Sequence, residues 1–302
     1  MRIQLTNVHL DLGAGRRGTD MGPSAIHVAG LVPALKRLGH EISELGSIGS
    51  ESFEAQDPGA ENLRFLPEIT RVCTRLADRV EAGVDGGAFP LVLGGDHSVA
   101  IGTVSGMSRA LRRRGQRMGI LWIDAHTDMN TPGTSPSGNI HGMPLACLLG
   151  HGPEALTRAM SPEGPALNPR DVAIIGVRDV DSSEVALVKQ LGVRVYTMSE
   201  LDARGTAVCV REAIEHVLAE TVGVHLSFDL DGVDPSEAPG VGTPVPGGLN
   251  LRESHLVCEM VAQTRKLLGM EVVELNPTQD VMNKTGKLSV WLIESALGKS
   301  IM

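Results

Sequence analysis

The segment Leu121-Trp122-Ile123-Asp124-Ala125-His126-Thr127-Asp128-Met129-Asn130 decides how the rest of the chain is read. A short apolar run ends in Asp124, His126 and Asp128, each separated from the next by one residue. In extended backbone alternate side chains share one side and lie about 6.6 Å apart, from a rise of ~3.3 Å per residue. Two carboxylates and an imidazole therefore converge where a buried strand emerges. Packing does not explain them, because unpaired ionisable groups are costly to bury. A hard divalent cation does.

Other apolar runs end the same way. Phe89-Pro90-Leu91-Val92-Leu93 leads into Gly94-Gly95-Asp96-His97-Ser98, and Gly223 to Phe228 leads into Asp229-Leu230-Asp231. Asp171 to Val177 runs into Arg178-Asp179-Val180-Asp181, and Leu267 to Val273 runs into Glu274-Leu275-Asn276-Pro277. Between these runs lie stretches with helical spacing. From Pro67, positions Ile69, Val72, Cys73, Leu76 and Val80 predict a helix closed by Gly83, Gly86 and Gly87. Val210, Ala213, Ile214, Val217 and Leu218 predict another over 206–220, and a last helix is expected over about 288–297. Met1 to Leu12 reads as a first strand, Met118 to Ile123 as the one before Asp124, and Val193 to Tyr196 as a further one. Continuous apolar strands alternating with helices predict an α/β fold: a three-layer αβα sandwich around a mostly parallel, doubly wound sheet. No linker, repeat or low-complexity tract interrupts it, so residues 1–302 are expected to form one domain. Ligands of such sheets bind at the carboxyl ends of the strands, where the acids and histidines stand.

Composition narrows the function. A net charge of −9 argues against nucleic acid or an anionic membrane as partner. The basic run Arg112 to Arg117 ends a helical stretch just before a strand and reads as a solvated helix C-terminus. Cys73, Cys147, Cys209 and Cys258 are scattered, as suits a reduced, cytoplasmic protein. The start of the chain lacks the long apolar run of a signal peptide, and no stretch approaches the ~20 apolar residues of a membrane span. Gly13-Ala14-Gly15-Arg16-Arg17-Gly18 matches GxGxxG formally, but two arginines fill the turn and the next helix signal waits until Gly22-Pro23, so a rim loop is expected.

The candidate metal ligands are His97, Asp124, His126, Asp128, Asp229 and Asp231. Four carboxylates balance two divalent ions and exceed the needs of one. Oxygen-rich ligands with some imidazole suit Mn²⁺, with Co²⁺, Fe²⁺ or Zn²⁺ possible, and two ions about 3.5–4 Å apart can lower the pKa of a shared water toward ~7. Asp179 and Asp181 also suit the cap of the following helix. His9, His27, His40, His151, His216, His225 and His255 carry no such pattern and are read as ordinary structural residues.

These residues closely resemble the ureohydrolases, and within them the arginases, in order and spacing from MGPSAI (21–26) through GGDHS, DAHTDMN and SFDLDGVDP to EVVELNP (271–277) and NKT (283–285). The resemblance implies a binuclear manganese site, with His97, Asp124, Asp128 and Asp229 on one ion and Asp124, His126, Asp229 and Asp231 on the other, and a bridging hydroxide as nucleophile. SPSGNIHGMP (135–144) looks like arginase rather than agmatinase. By that likeness Asn130, Ser137 and Asn139 contact a substrate α-carboxylate, Asp181 its α-amino group, and Glu184 belongs to the same substrate-binding set. His141 is then the proton shuttle, Glu274 grips the guanidinium, Thr243 lines the pocket, and Asp128 is counted with His141 and Glu274 as catalytic. The implied reaction is hydrolysis of L-arginine to L-ornithine and urea. The alternatives are another ureohydrolase (agmatinase, guanidinobutyrase or a formiminoglutamate hydrolase), a deacetylase-like metallohydrolase, and a metal-binding pseudoenzyme. Arg252-Glu253 resembles a pair that bridges subunits in this family, which implies a homotrimer or homohexamer.

Overall fold

A computed structural model describes residues 1–300. Chain order is β1 (Arg2–His9), α1 (Gly22–Val28), α2 (Leu31–Arg37), β2 (Glu41–Gly49), α3 (Leu66–Asp85), β3 (Phe89–Leu93), α4 (Val99–Arg112), β4 (Gly119–Ile123), α5 (Pro144–Leu148) and β5 (Val172–Val177). There follow α6 (Ser182–Leu191), β6 (Arg194–Thr197), α7 (Met198–Arg204), α8 (Thr206–Leu218), β7 (Val224–Asp229), α9 (Leu251–Gln263), β8 (Leu267–Val273) and α10 (Lys284–Ala296). The eight strands form one sheet in the order β2-β1-β3-β8-β7-β4-β5-β6. Every neighbouring pair is parallel.

Two apolar cores lie on opposite faces of this sheet, which is the expected three-layer sandwich. Alternation along β4 shows how one strand serves both: Leu121 and Ile123 join one core, Ile120 and Trp122 the other. Leu121 and Ile123 pack in the core that holds Ile26 of α1, Leu31 and Leu35 of α2, Ile214 of α8, Val257 of α9 and Leu292 of α10. The opposite core takes Ile69, Val72 and Leu76 from α3 and Ile101 and Val104 from α4. Strands covered on both faces must be apolar throughout, and β3, β4, β5 and β7 are buried at every position.

Several boundaries differ from expectation. Strand β1 ends at His9 rather than Leu12, β4 begins at Gly119, and β6 runs from Arg194 to Thr197. Helix α8 ends at Leu218 and α10 opens at Lys284, one turn before its first buried leucine. Gly83 does not close α3, which runs on to Asp85 with Gly86 as its cap. The polar strand β2 was not anticipated: it is an edge strand with Ile48 as its one buried residue, so it carries no apolar run. The Gly13–Gly18 segment is a loop whose last glycine caps a single 3-10 turn, Thr19–Met21, so the α-helix itself waits until Gly22.

Topology supplies the convergence that local sequence cannot. β3, β8, β7 and β4 are consecutive in the sheet, so the residues that follow them emerge side by side at one edge. Gly95 makes that edge tight. A Cβ there would stand 1.8 Å from the Leu10 carbonyl oxygen, which accepts the Asp96 N–H at 2.9 Å. No described helix is long and apolar enough to cross a membrane.

Candidate metal centre

His97 follows β3, Asp124 follows β4, and Asp229 is the last residue of β7. The Nδ1 of His97 lies 3.2 Å from Asp124 Oδ2, 3.1 Å from Asp128 Oδ2 and 3.0 Å from Asp229 Oδ2. The Nδ1 of His126 lies 3.3 Å from Asp124 Oδ1 and 3.2 Å from Asp231 Oδ2. Asp124 thus belongs to two clusters, one with His97 and Asp229 and the other with His126 and Asp231. All six expected ligands meet.

The cluster has the features of a cation site. His97 Nδ1 and Asp128 Oδ2 are buried with no hydrogen-bond partner, a costly state that a shared cation would relieve. Backbone donors turn the carboxylates inward: His126 N–H donates to Asp124 Oδ1 at 2.7 Å and Asp231 N–H to Asp229 Oδ1 at 2.7 Å. Trp122 Nε1–H donates to Asp124 Oδ2 at 2.9 Å, while its ring stacks on His97 at 4.1 Å. Asp128 takes a left-handed backbone with φ of 52°, a strained conformation fixed by Leu145 and Ala146, whose N–H groups donate to its carbonyl at 3.1 and 3.2 Å.

Electrostatics agree. Burial opposes charging of the imidazoles, but the carboxylates around His97 and around His126 outweigh it and hold both well above their ordinary 6.5. Burial together with the Asp124 charge raises Asp128 to about 7, and burial with neighbouring carboxylates also raises Asp229 and Asp231. Asp124 goes the other way: burial opposes, yet His126 and His97 hold it well below the usual carboxylate range. Protons here occupy the places of cations, so metal entry must expel them.

A prediction follows for a weakly buffered solution near pH 7, where Mn²⁺ added to chelator-stripped protein is expected to release at least about two protons per chain, those of His97 and His126. A group raised in the folded state adds stability that is present below its unfolded pKa and is lost as pH rises through its folded value. The imidazoles therefore help the metal-free fold least at alkaline pH, where metal competes with fewest protons. Apparent affinity should climb about tenfold per pH unit for each proton displaced. A pH-stat titration and metal-binding isotherms between about pH 6 and pH 8 check this, and a flat response contradicts it.

The centre forms one wall of a cavity of about 230 Å³. Asn130, Ser137, Asn139 and Thr243 line it, as do His141, Asp181 and Glu184. Asn130 Nδ2 donates to Asp181 Oδ2 at 2.9 Å, and its Oδ1 accepts the Thr134 hydroxyl at 2.9 Å. Ser137 Oγ accepts the Asn139 N–H at 3.2 Å, and the Thr243 hydroxyl donates to Asp231 Oδ2 at 2.8 Å. Asp181 is the N-cap residue of α6, as the capping pattern suggested, and it faces the cavity too. Glu184 is more committed than its substrate-binding assignment implies. Its carboxylate accepts from the Thr127 hydroxyl and Met129 N–H at 2.8 Å each and from Asp181 N–H at 3.1 Å.

Glu274 lies behind this wall with φ of 65°, a second strained functional residue. Its Oε1 accepts His97 N–H at 2.8 Å and lies 3.0 Å from His141 Nδ1. Its Oε2 is buried with no partner. Burial opposes protonation of His141, but Glu274, Asp96 and Asp128 outweigh it and hold the imidazole up at about 9.

Three supporting residues escaped the sequence reading. Arg178 donates to the Asp231, Gly232 and Val245 carbonyls at 2.6, 3.2 and 2.7 Å, binding the loop that carries Asp231 and Thr243 to β5. Asp96 accepts Gly13 N–H at 2.8 Å, and the Gly13 carbonyl accepts His141 N–H at 3.2 Å, so the rim loop braces His141. Ser227 Oγ lies 2.9 Å from His97 Nε2. The signal for Asp96 stood in GGDHS; the other two act through backbone or across strands. Arg252 and Glu253 both have partners within the chain: Arg252 pairs with Glu259, and Glu253 accepts from Asn250 N–H and Thr206.

An all-parallel αβα sheet whose strand ends gather four carboxylates and two imidazoles beside a polar cavity is an α/β fold with a candidate metal centre, the arrangement of a metal-dependent enzyme. The Arginase family model matches residues 1–298. An arginase from Bacillus caldovelox is 46% identical over 301 residues, covering 99% of both chains. A crystal structure of an arginase from Bacillus cereus superimposes with a TM-score of 0.94 at 42% identity over 100% of both chains. One from Entamoeba histolytica, in complex with L-ornithine, gives 0.90 at 32% identity over 99% of both. The chain belongs to the arginase family and is an amidinohydrolase.

Proposed function

We propose that the chain hydrolyses L-arginine to L-ornithine and urea and holds two Mn²⁺ ions, for which Co²⁺ can substitute. One ion falls to His97, Asp124, Asp128 and Asp229, the other to Asp124, His126, Asp229 and Asp231. When bound, the ions supply a water-derived nucleophile at neutral pH and offset negative charge that develops in the reaction.

The observation that carries this reading is the unpartnered Glu274 Oε2, a buried carboxylate oxygen beside the metal ligand His97 and within the same strand-end cluster. A guanidinium is a planar cation whose N–H groups match such an oxygen. Binding there orients the guanidinium carbon toward Asp128 and its neighbours. His141, on the other oxygen of Glu274, delivers a proton to the departing amine nitrogen. At the outer part of the cavity the donors of Asn130, Ser137 and Asn139 suit an α-carboxylate, and the Asp181 carboxylate suits an α-ammonium. Glu184 serves that end by holding Asp181 and the 127–129 turn. A homotrimer or homohexamer in the cytoplasm completes the proposal, with Arg252 exposed on α9 as its contact.

Urea release from Mn²⁺-loaded protein, with L-arginine and agmatine in parallel, tests it. Arginine is expected to turn over at least ~100-fold better, because agmatine lacks the carboxylate that three cavity residues would hold. Turnover of agmatine alone contradicts the assignment of the outer cavity, and silence with both contradicts the substrate.

A further inference from the structure

β7 and β8 carry three polar side chains that a strand covered on both faces has no packing reason to keep. His225, Ser227 and Glu271 are each 0% exposed. In the β7–β8 register Ser227 stands opposite Glu271, and His225 stands opposite Gly269. His225 and Ser227, two residues apart on β7, face the same side as Asp229 at the strand end. Gly269 makes the space for His225: a Cβ there would lie 3.0 Å from His225 Nδ1.

The contacts form a line toward the metal centre. Glu271 Oε1 lies 3.4 Å from His225 Nε2 and accepts the Ser227 hydroxyl at 2.9 Å. Ser227 Oγ in turn is 2.9 Å from His97 Nε2. A hydroxyl has one proton, and Glu271, a carboxylate, can only accept it. Ser227 must then accept from His97 Nε2–H. That fixes the tautomer of the neutral ring a cation would meet, with its proton on Nε2 and its Nδ1 lone pair on the side of Asp124, Asp128 and Asp229. Burying a carboxylate in mid-sheet costs several kcal/mol unless something compensates it, and a valine at that position would pack without that cost. The Ser227 hydroxyl offsets part of that cost by donating to Oε1, while Oε2 stays without a partner, and a valine could not orient Ser227 and through it His97.

We propose that Glu271, which lies beside His225, is a positioning residue for the metal ligand His97, acting through Ser227. The proposal rests on reading His97 as a ligand. It extends the ligand's support two side chains further into the sheet, to residues that touch neither cation nor substrate. Outer partners of this kind typically alter metal affinity 10–100-fold.

The experiment measures free Mn²⁺ by its electron paramagnetic resonance signal during titration of chelator-stripped wild type, Glu271→Gln, Ser227→Val and Glu271→Gln/Ser227→Val. In Glu271→Gln the amide can donate to Ser227, releasing the hydroxyl proton toward His97 Nε2 and moving the ring proton to Nδ1, where it blocks the cation. The Mn²⁺ site that His97 serves is expected to lose ~10–100-fold in affinity. Ser227→Val breaks the same link and should lose a comparable amount, with the double variant no worse than the single ones. Unchanged Mn²⁺ affinity in Glu271→Gln, or losses that add in the double variant, overturns the proposal. If Glu271→Gln does not fold, Ser227→Val decides alone, and wild-type affinity there overturns it. Wild-type protein that binds no Mn²⁺ overturns instead the reading of His97 as a ligand.

Discussion

Asp124→Asn is expected to lower urea release by at least ~10³-fold, about 4 kcal/mol of transition-state stabilisation, and to leave the dialysed protein with little bound manganese. Asp124 is the residue common to both ligand clusters. Each of its oxygens already accepts an inward-turning donor, Oδ1 from His126 N–H and Oδ2 from Trp122 Nε1–H. An amide has one accepting end, so the substituted side chain must turn its NH₂ group against one of these donors. It cannot relieve that by rotating, because His97 Nδ1 and His126 Nδ1 stand on the two sides. The substitution also removes one of the four negative charges that neutralise two divalent ions. Metal content of the dialysed variant by plasma mass spectrometry and kcat after reloading check this together. A full complement of metal with kcat within tenfold of wild type contradicts the shared-ligand role.

The sequence made the metal centre legible because its signal is local. Asp124, His126 and Asp128, and again Asp229 and Asp231, repeat every second residue, a spacing that strand geometry alone converts into convergence. That the two sets face the same point required β7 to lie beside β4, which no stretch of either strand states. The same limit hid Glu271: in Leu267 to Val273 it reads as an interruption of an apolar run, and it gains meaning only opposite Ser227. Arg178 was hidden for a different reason. It binds carbonyl oxygens, which every residue has, so its partners leave no side-chain pattern. Glu184, expected among the substrate-binding residues, lines the cavity, while its three intramolecular donors became visible only when the turn after β4 packed on α6. Strand β2 fell outside the apolar criterion because an edge strand is wet.

Glu274→Gln is expected to separate catalysis from metal retention. Glutamine keeps the shape of the side chain and one accepting oxygen, so it can still accept His97 N–H as Oε1 now does. The variant should hold its manganese, in contrast to Asp124→Asn. What it loses is the charge on Oε2, the buried oxygen without a partner. A guanidinium placed there would face an amide NH₂ or a neutral carbonyl in a water-poor site, and losing one partner of such a buried charge pair costs about 2–5 kcal/mol. Across kcat/KM that is ~30- to 5,000-fold. The loss should fall on kcat as well as KM, because Glu274 also faces His141, and without its carboxylate the imidazole is no longer held up at about 9 and gives up its proton at lower pH. The free protein is expected to lose stability at neutral pH, because the substitution removes one partner of the buried Glu274–His141 pair. Steady-state kinetics with L-arginine, metal content and thermal unfolding, measured on one preparation, decide the matter. A metal-replete variant with kcat/KM within threefold of wild type would show that the substrate cation binds elsewhere, and a metal-free one would make Glu274 part of the metal centre rather than the residue that reads the substrate.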